Sequence, residues 1–176
     1  VISLSARLGH NARLDWLPQE AILFNGASMQ RTLDIELAPT ASLTLLESLV
    51  LGRAAHGEVL TQARWQDRWR IKRADRLIFA ENVRIDGAIS GLMQRPAIGA
   101  GARAIATLLH VAPDAESKLE TVRAALSAAS STCASSAWDG MLIVRFAGLE
   151  AQSVRRECIT AATALRGAPM PRAWSC

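Results

Sequence analysis

In RTLDIELAP, Leu33, Ile35 and Leu37 alternate with Asp34 and Glu36. That period of two predicts a strand with one buried and one wet face. Ala38-Pro39-Thr40 then punctuates the chain. SLTLLESLVL, from Ser42 to Leu51, is too apolar to alternate cleanly. It predicts a strand buried on both faces and ended at Gly52. Glu47 interrupts that apolar run. A buried carboxylate is costly unless it is paired, hydrated or metal-bound. Glu81 after LIFA, and Glu20 and Glu58 beside other apolar strand sequence, raise the same question. Arg53 and Arg84 are the nearby candidates to pair with them.

EVLTQARW, DRWRIKR, RLIFAENVRI and GLMQRPAIG are short and bounded by Gly, Asp, Asn or Pro. Strands at such spacing suggest a sandwich, a barrel or a solenoid, but no internal repeat supports a regular solenoid. After Gly101 the pattern changes. ARAIATLLHV predicts a strand, and Pro113-Asp114 opens a helix with Asp114 as its cap and Leu119, Val122 and Leu126 on one face. SSTCASSAWDG reads as a polar loop and MLIVRF as a strand. A last helix is expected from about Glu150 to Leu165, with Val154, Cys158, Ala162 and Leu165 on one face and Gly167 stopping it. The tail APMPRAWSC, with two prolines, is expected to be extended. The fold class is therefore mainly β (α+β), with a β-α-β-α end, in a single domain over residues 1–176.

Half of the residues are apolar, which excludes global disorder. No apolar run reaches the roughly 18 residues a membrane-spanning helix needs. SLSARLGHNARLDW lacks the apolar segment of a secretory signal. Cys133, Cys158 and Cys176 are odd in number and form no C-x-x-C pair, which suits a reducing, cytoplasmic setting. The net charge is +4, and Lys72 and Lys118 are the lysines among twenty basic residues. Arginine favours planar pairing with carboxylates, so the bias suits interfaces as well as nucleic acid.

Recognisable catalytic chemistry is absent from the sequence. His10, His56 and His110 stand in separate segments without zinc-ligand spacing, and no tight metal site is assigned. There is no G-x-S-x-G, no phosphate-binding loop and no H-E-x-x-H. ARWQDRWRIKRADR mixes arginines with Trp65 and Trp69. This predicts a hairpin with a solvated arginine face. A site for nucleic acid or an acidic protein is the competing reading. The carboxylates allow two readings as well: structural ion pairs, or a row along a wet internal passage that would hold a divalent cation weakly. In WLPQEAILF, Leu17-Pro18-Gln19-Glu20 is expected to form a corner, with Gln19 and Glu20 satisfying backbone or an arginine, and Ile22, Leu23 and Phe24 re-entering the core.

Four ordered segments carry a resemblance. WLPQEAILFNGA contains Trp16, Leu17, Pro18, Gln19 and Glu20. LLESLVLGRAAHGE contains Gly52, Arg53, Gly57 and Glu58. RWRIKRADRLIFAENVRI ends in an apolar run with Glu81, and MPRAWSC contains Pro171, Arg172 and Trp174. Together they resemble the urease accessory protein UreD family, called UreH in some bacteria. The resemblance implies a β-helix-like stack of short strands with helices near the C-terminus. It implies a non-enzymatic maturation factor that scaffolds a UreF-type partner and a GTP-hydrolysing UreG-type partner on apo-urease. Nickel(II) is then a transient cargo, with no tightly bound cofactor and no membrane or nucleic-acid partner. Glu47 and Glu81, with Glu20 and Glu58 behind them, are the expected carboxylates of its passage. Family members carry a glycine-rich N-terminal segment that is missing here, and Val1 is the first residue. The resemblance therefore implies an N-terminally truncated member.

Overall fold

A computed structural model of the chain describes residues 1–53 and 56–175. Its strands are β1 (Ile2–Leu8), β2 (Arg13–Trp16), β3 (Ala21–Leu23), β4 (Ser28–Leu37), β5 (Ser42–Leu51), β6 (Ala63–Arg73), β7 (Arg76–Gly87), β8 (Ala104–Val111), β9 (Thr132–Trp138) and β10 (Met141–Gly148). The α-helices are α1 (Ile89–Met93), α2 (Leu119–Ala125) and α3 (Ala151–Arg166).

The N-terminal half coils between two sheets. One sheet has the order β1-β4-β6-β7; the other runs β2-β5-β8-β10-β9, with β3 also on β5. β1, β4 and β6 stack in parallel, and β2 and β3 pair in parallel with β5. Each turn of the coil thus lays one strand in each sheet, as in a β-helix. Arg7 lies opposite Glu36, 29 positions on, whereas Arg31 lies opposite Asp67, 36 positions on. Unequal coils leave no repeat for the sequence to display. The coil ends in antiparallel hairpins. Ala74 and Asp75 turn β6 into β7 with φ of 47° and 63°, and Asp139 and Gly140 turn β9 into β10 with 49° and 72°. Two consecutive left-handed residues match the twist of the flanking strands.

Alternation sorts each strand into the layers. Leu33, Ile35 and Leu37 of β4 and Trp69 and Ile71 of β6 face Leu43, Leu45, Leu109 and Ile143 across the gap between the sheets. Trp65, Ile85, Leu23 and Leu49 form a second inter-sheet cluster. β5, buried nearly throughout as expected, turns Leu46 to the opposite side, where Val154, Cys158, Ala162 and Leu165 of α3 cover it. Val122 of α2 is buried in the same layer, with Leu119 and Leu126 packed against it. The molecule is two sheets and a helical layer.

Several expectations change. β1 and β2 add two strands to the segments singled out from the sequence. EVLTQ forms no strand, and GLMQRPAIG forms the end of α1 and a run of turns. Pro96 removes a donor, and Gly99 sits so close to Met93 that an added Cβ would lie 2.6 Å from it. SSTCASSAWDG is mostly β9, an edge strand whose Cys133, Ser135 and Ala137 are half-buried and whose other face is wet. An edge strand needs little apolar sequence, so it resembles a loop. A 3-10 turn over Ala115–Lys118 precedes α2, and Asp114 makes no side-chain cap bond but pairs with Lys118 at 3.4 Å. The tail closes in a 3-10 turn, Arg172–Ser175, instead of staying extended.

A charged seam between the sheets and a C-terminal clasp

Arg31 shares the inward phase of Leu33 and Ile35 on β4, and Asp67 shares that of Trp65 and Trp69 on β6. The parallel register puts them side by side. Arg31 donates from Nε and Nη2 to the two oxygens of Asp67 at 3.0 and 2.5 Å, and from Nη1 to Glu47 Oε2. Trp69 Nε1 donates to Asp67 at 2.8 Å, and Trp16 Nε1 to Glu47 Oε1 at 2.8 Å. The guanidinium also lies 4.9 Å from the Trp65 ring centre. Burying these charges is tolerable because every one has a partner.

Fully ionised, the trio carries one negative charge too many. Burial pushes the Glu47 carboxyl up to about 7, with Arg31 and Trp16 opposing the shift and Asp67 adding to it. The folded protein therefore binds this proton more tightly than the unfolded chain. The associated stability is complete below about pH 4.5 and is lost as pH rises through 7. Between pH 5 and 8, wild type should lose about 2.5 kcal/mol that Glu47→Gln does not lose. Urea unfolding of both at several pH values checks this; a pH-independent difference between them would contradict it.

A cavity of about 330 Å³ leads outward from the trio past Trp65, Trp69, Val83 and Phe146. Arg145 lies at its more exposed end. It forks Glu81 across the sheets at 2.9 and 2.7 Å and donates to Thr107 Oγ1 at 3.3 Å. Glu47 and Glu81 thus share one cavity. Glu20 and Glu58 lie elsewhere. Glu20 accepts from Arg155 at 2.5 Å on the helical side of the second sheet, beside the buried Ser48 hydroxyl, which has no hydrogen-bond partner. Glu58 accepts from the Arg53 backbone N–H at 2.8 Å and from its guanidinium at 3.0 and 3.2 Å, and also from the Asn25 N–H at 3.1 Å. The Arg53 contacts hold its carboxyl down at about 2. Gly52 and Gly57, with φ of 79° and 63°, let the loop fold back for this clamp.

All four carboxylates are therefore matched to arginines. Of the pairings anticipated from sequence, Arg53 holds Glu58, while Arg84 turns outward to Asp86 at 3.0 Å. Arg31, Arg145 and Arg155 were missed. Among the described residues, no group of three or more His, Cys, Asp and Glu side chains could hold a metal ion. His110 is buried against Thr44 at 3.1 Å, and burial lowers its pKa. Cys133 and Cys158 are free thiols whose pKa values burial raises; Cys176 lies outside the described residues.

The WLPQE stretch interrupts one edge strand. Trp16 lies opposite Leu45 and Ala21 opposite Leu49, so Leu17–Glu20 cross in four residues a span that β5 crosses in three. Pro18 sits in that bulge, where no ladder donor is needed. The C-terminal turn packs onto it. Trp174 Nε1 donates to the Leu17 carbonyl at 2.8 Å, and Gln19 Nε2 to the Ala173 carbonyl at 2.6 Å. Arg155 bridges both sides: it pairs with Glu20, donates to the Trp174 carbonyl at 3.1 Å and lies 4.8 Å from the Trp174 ring centre. Gln19 and Glu20 thus satisfy backbone and an arginine, as expected. Leu23 enters the core, but Ile22 and Phe24 are about half exposed.

A family model described as the UreD urease accessory protein matches residues 1–175. The chain belongs to this family. Urease accessory protein UreD of Methylobacterium sp. (strain 4-46) is 46% identical over 98% of this chain and 63% of its own length. The proteins of that name from Xanthobacter autotrophicus and Azorhizobium caulinodans are 47% and 40% identical, over 93% and 99% of this chain and 57% and 64% of their own lengths. The chain thus spans about three fifths of the length of these curated relatives. Two of the segments that carried the UreD resemblance meet in the fold, and the other two stand at separate places. WLPQE and PRAW form the clasp, Glu58 closes the loop that begins at Gly52-Arg53, and Glu81 reaches the cavity. The mainly-β architecture agrees with the expectation drawn from the family.

Proposed function

We propose that this protein acts in urease maturation as a non-enzymatic scaffold. It would bring a UreF-type partner and a UreG-type GTPase onto apo-urease in the cytoplasm, with nickel(II) as transient cargo. Glu47 and Glu81 are the carboxylates proposed to line its passage. The observation that carries this reading is the inter-sheet cavity of a UreD family member, with Glu47 at its buried end and Glu81 at its outer end. Carboxylate oxygens suit a hard or borderline dication held weakly. Both are already paired to arginine, so a cation would be exchanged through the cavity and not stored there. Glu20 and Glu58, away from this cavity, contribute as structural clamps.

Two measurements test the reading. After circular dichroism confirms folding, the tagged chain co-expressed with a UreF-type partner should co-elute with it on size exclusion. Elution alone, also when the chain carries the upstream segment of a longer relative, counts against the scaffold. In cells, Glu47→Gln and Glu81→Gln in the full-length protein should each lower urease activation several-fold at limiting nickel. Unchanged activation in both would remove the passage from the proposal.

A further inference from the structure

The outer face of the four-stranded sheet has no covering layer among the described residues. Strand alternation buries Trp65 and Trp69 and sends Arg64, Arg68, Arg70 and Lys72 of β6 outward. Most acids on this face are already engaged: Glu36 by Arg7 at 2.8 Å, and Asp86 by Arg64 and Arg84 at 3.2 and 3.0 Å. Arg68 stands between Thr32 and Asn82 in register, with no acid beside it. Arg70 and Lys72 lie beside Asp34 and Glu36 in register, yet none of the three cations forms an ion pair among the described residues. Next to them is a cleft of about 360 Å³ lined by Ser5, Arg7, Asp34, Glu36, Arg70 and Lys72.

We infer that Arg68, Arg70 and Lys72 form a docking stripe for an acidic protein segment in extended conformation. Alternate residues of a strand repeat at about 7 Å, so an extended partner with a carboxylate at every second residue matches the stripe charge for charge. Arg68 and Arg70 can each grip a carboxylate through two N–H groups, and Lys72 adds a third positive charge. Nucleic acid fits less well. The aromatic rings that would stack on bases, Trp65 and Trp69, are buried. This surface is distinct from the inter-sheet cavity, and the inference stands without the nickel reading.

The test uses the full-length chain and a fluorescent synthetic peptide with glutamate at every second position. Anisotropy at low salt should show binding to wild type. Arg68→Gln with Arg70→Gln should weaken it about tenfold. Arg95→Gln with Arg103→Gln removes the same charge from exposed positions off this face, and should change affinity by less than about twofold. Equal losses in the two double variants would reduce the effect to net charge and overturn the stripe. So would the absence of peptide binding. Tighter binding of a single-stranded oligonucleotide than of the peptide, lost through the same arginines, would overturn the choice of occupant.

Discussion

Arg31→Met should lower the unfolding free energy by about 3–5 kcal/mol, the cost of stripping a buried charge of its partner. Methionine fills similar space, so the loss is electrostatic and not a cavity effect. Glu47 and Asp67 would then face each other across the sheets with only Trp16 and Trp69 donating to them. Two close carboxylates in a dry site cannot both stay ionised. The deficit should therefore be smaller at pH 5 than at pH 8. Adding Asp67→Asn and Glu47→Gln to Arg31→Met should recover much of it, because replacing a whole buried ionic group is far less costly than orphaning part of one. Urea denaturation followed by circular dichroism reads all three proteins. A deficit below about 1 kcal/mol in the single variant would show that the seam is wet and its charges are carried by solvent.

Trp174→Ala should cost a comparable amount, about 3–5 kcal/mol, through a lost aromatic side chain and the space it leaves. Trp174 is only 4% exposed, and its loss also orphans the Leu17 carbonyl and removes the ring beside Arg155. The clasp joins residues 157 positions apart, so the damage should spread to both ends. Hydrogen exchange should quicken in Leu17–Glu20 and β3 as well as in the C-terminal turn. Trp174→Phe keeps a ring and forfeits the hydrogen bond, for about 1 kcal/mol. Unchanged exchange at Leu17–Glu20 in Trp174→Ala would mean the bulge holds its shape alone and the clasp is a one-way contact.

Strand phase was legible before any coordinates. Leu33, Ile35 and Leu37 declare the inward face of β4, and one further step of two reaches back to Arg31. Trp65 and Trp69 do the same for Asp67. The members of the seam on the first sheet are therefore readable from the sequence as inward-facing charges. The apolar face of α3 and its stop at Gly167 were equally plain, since a helix states its buried side within a few turns. β9 was not, because an edge strand half in water lacks the apolar residues that announce a strand.

The sequence by itself determined which side chains point inward, because alternation and helical spacing are properties of neighbouring residues. It also carried, in four short segments, the family to which the chain belongs. Apart from Arg53 and Glu58, five positions apart, only the tertiary structure decided which of these charges meet. Glu47 takes an arginine 16 positions away and Glu20 one 135 positions away, not the arginines closest in sequence. Coil length and sheet order set those partners. They are global quantities fixed by how the whole chain closes on itself, and no local pattern encodes them.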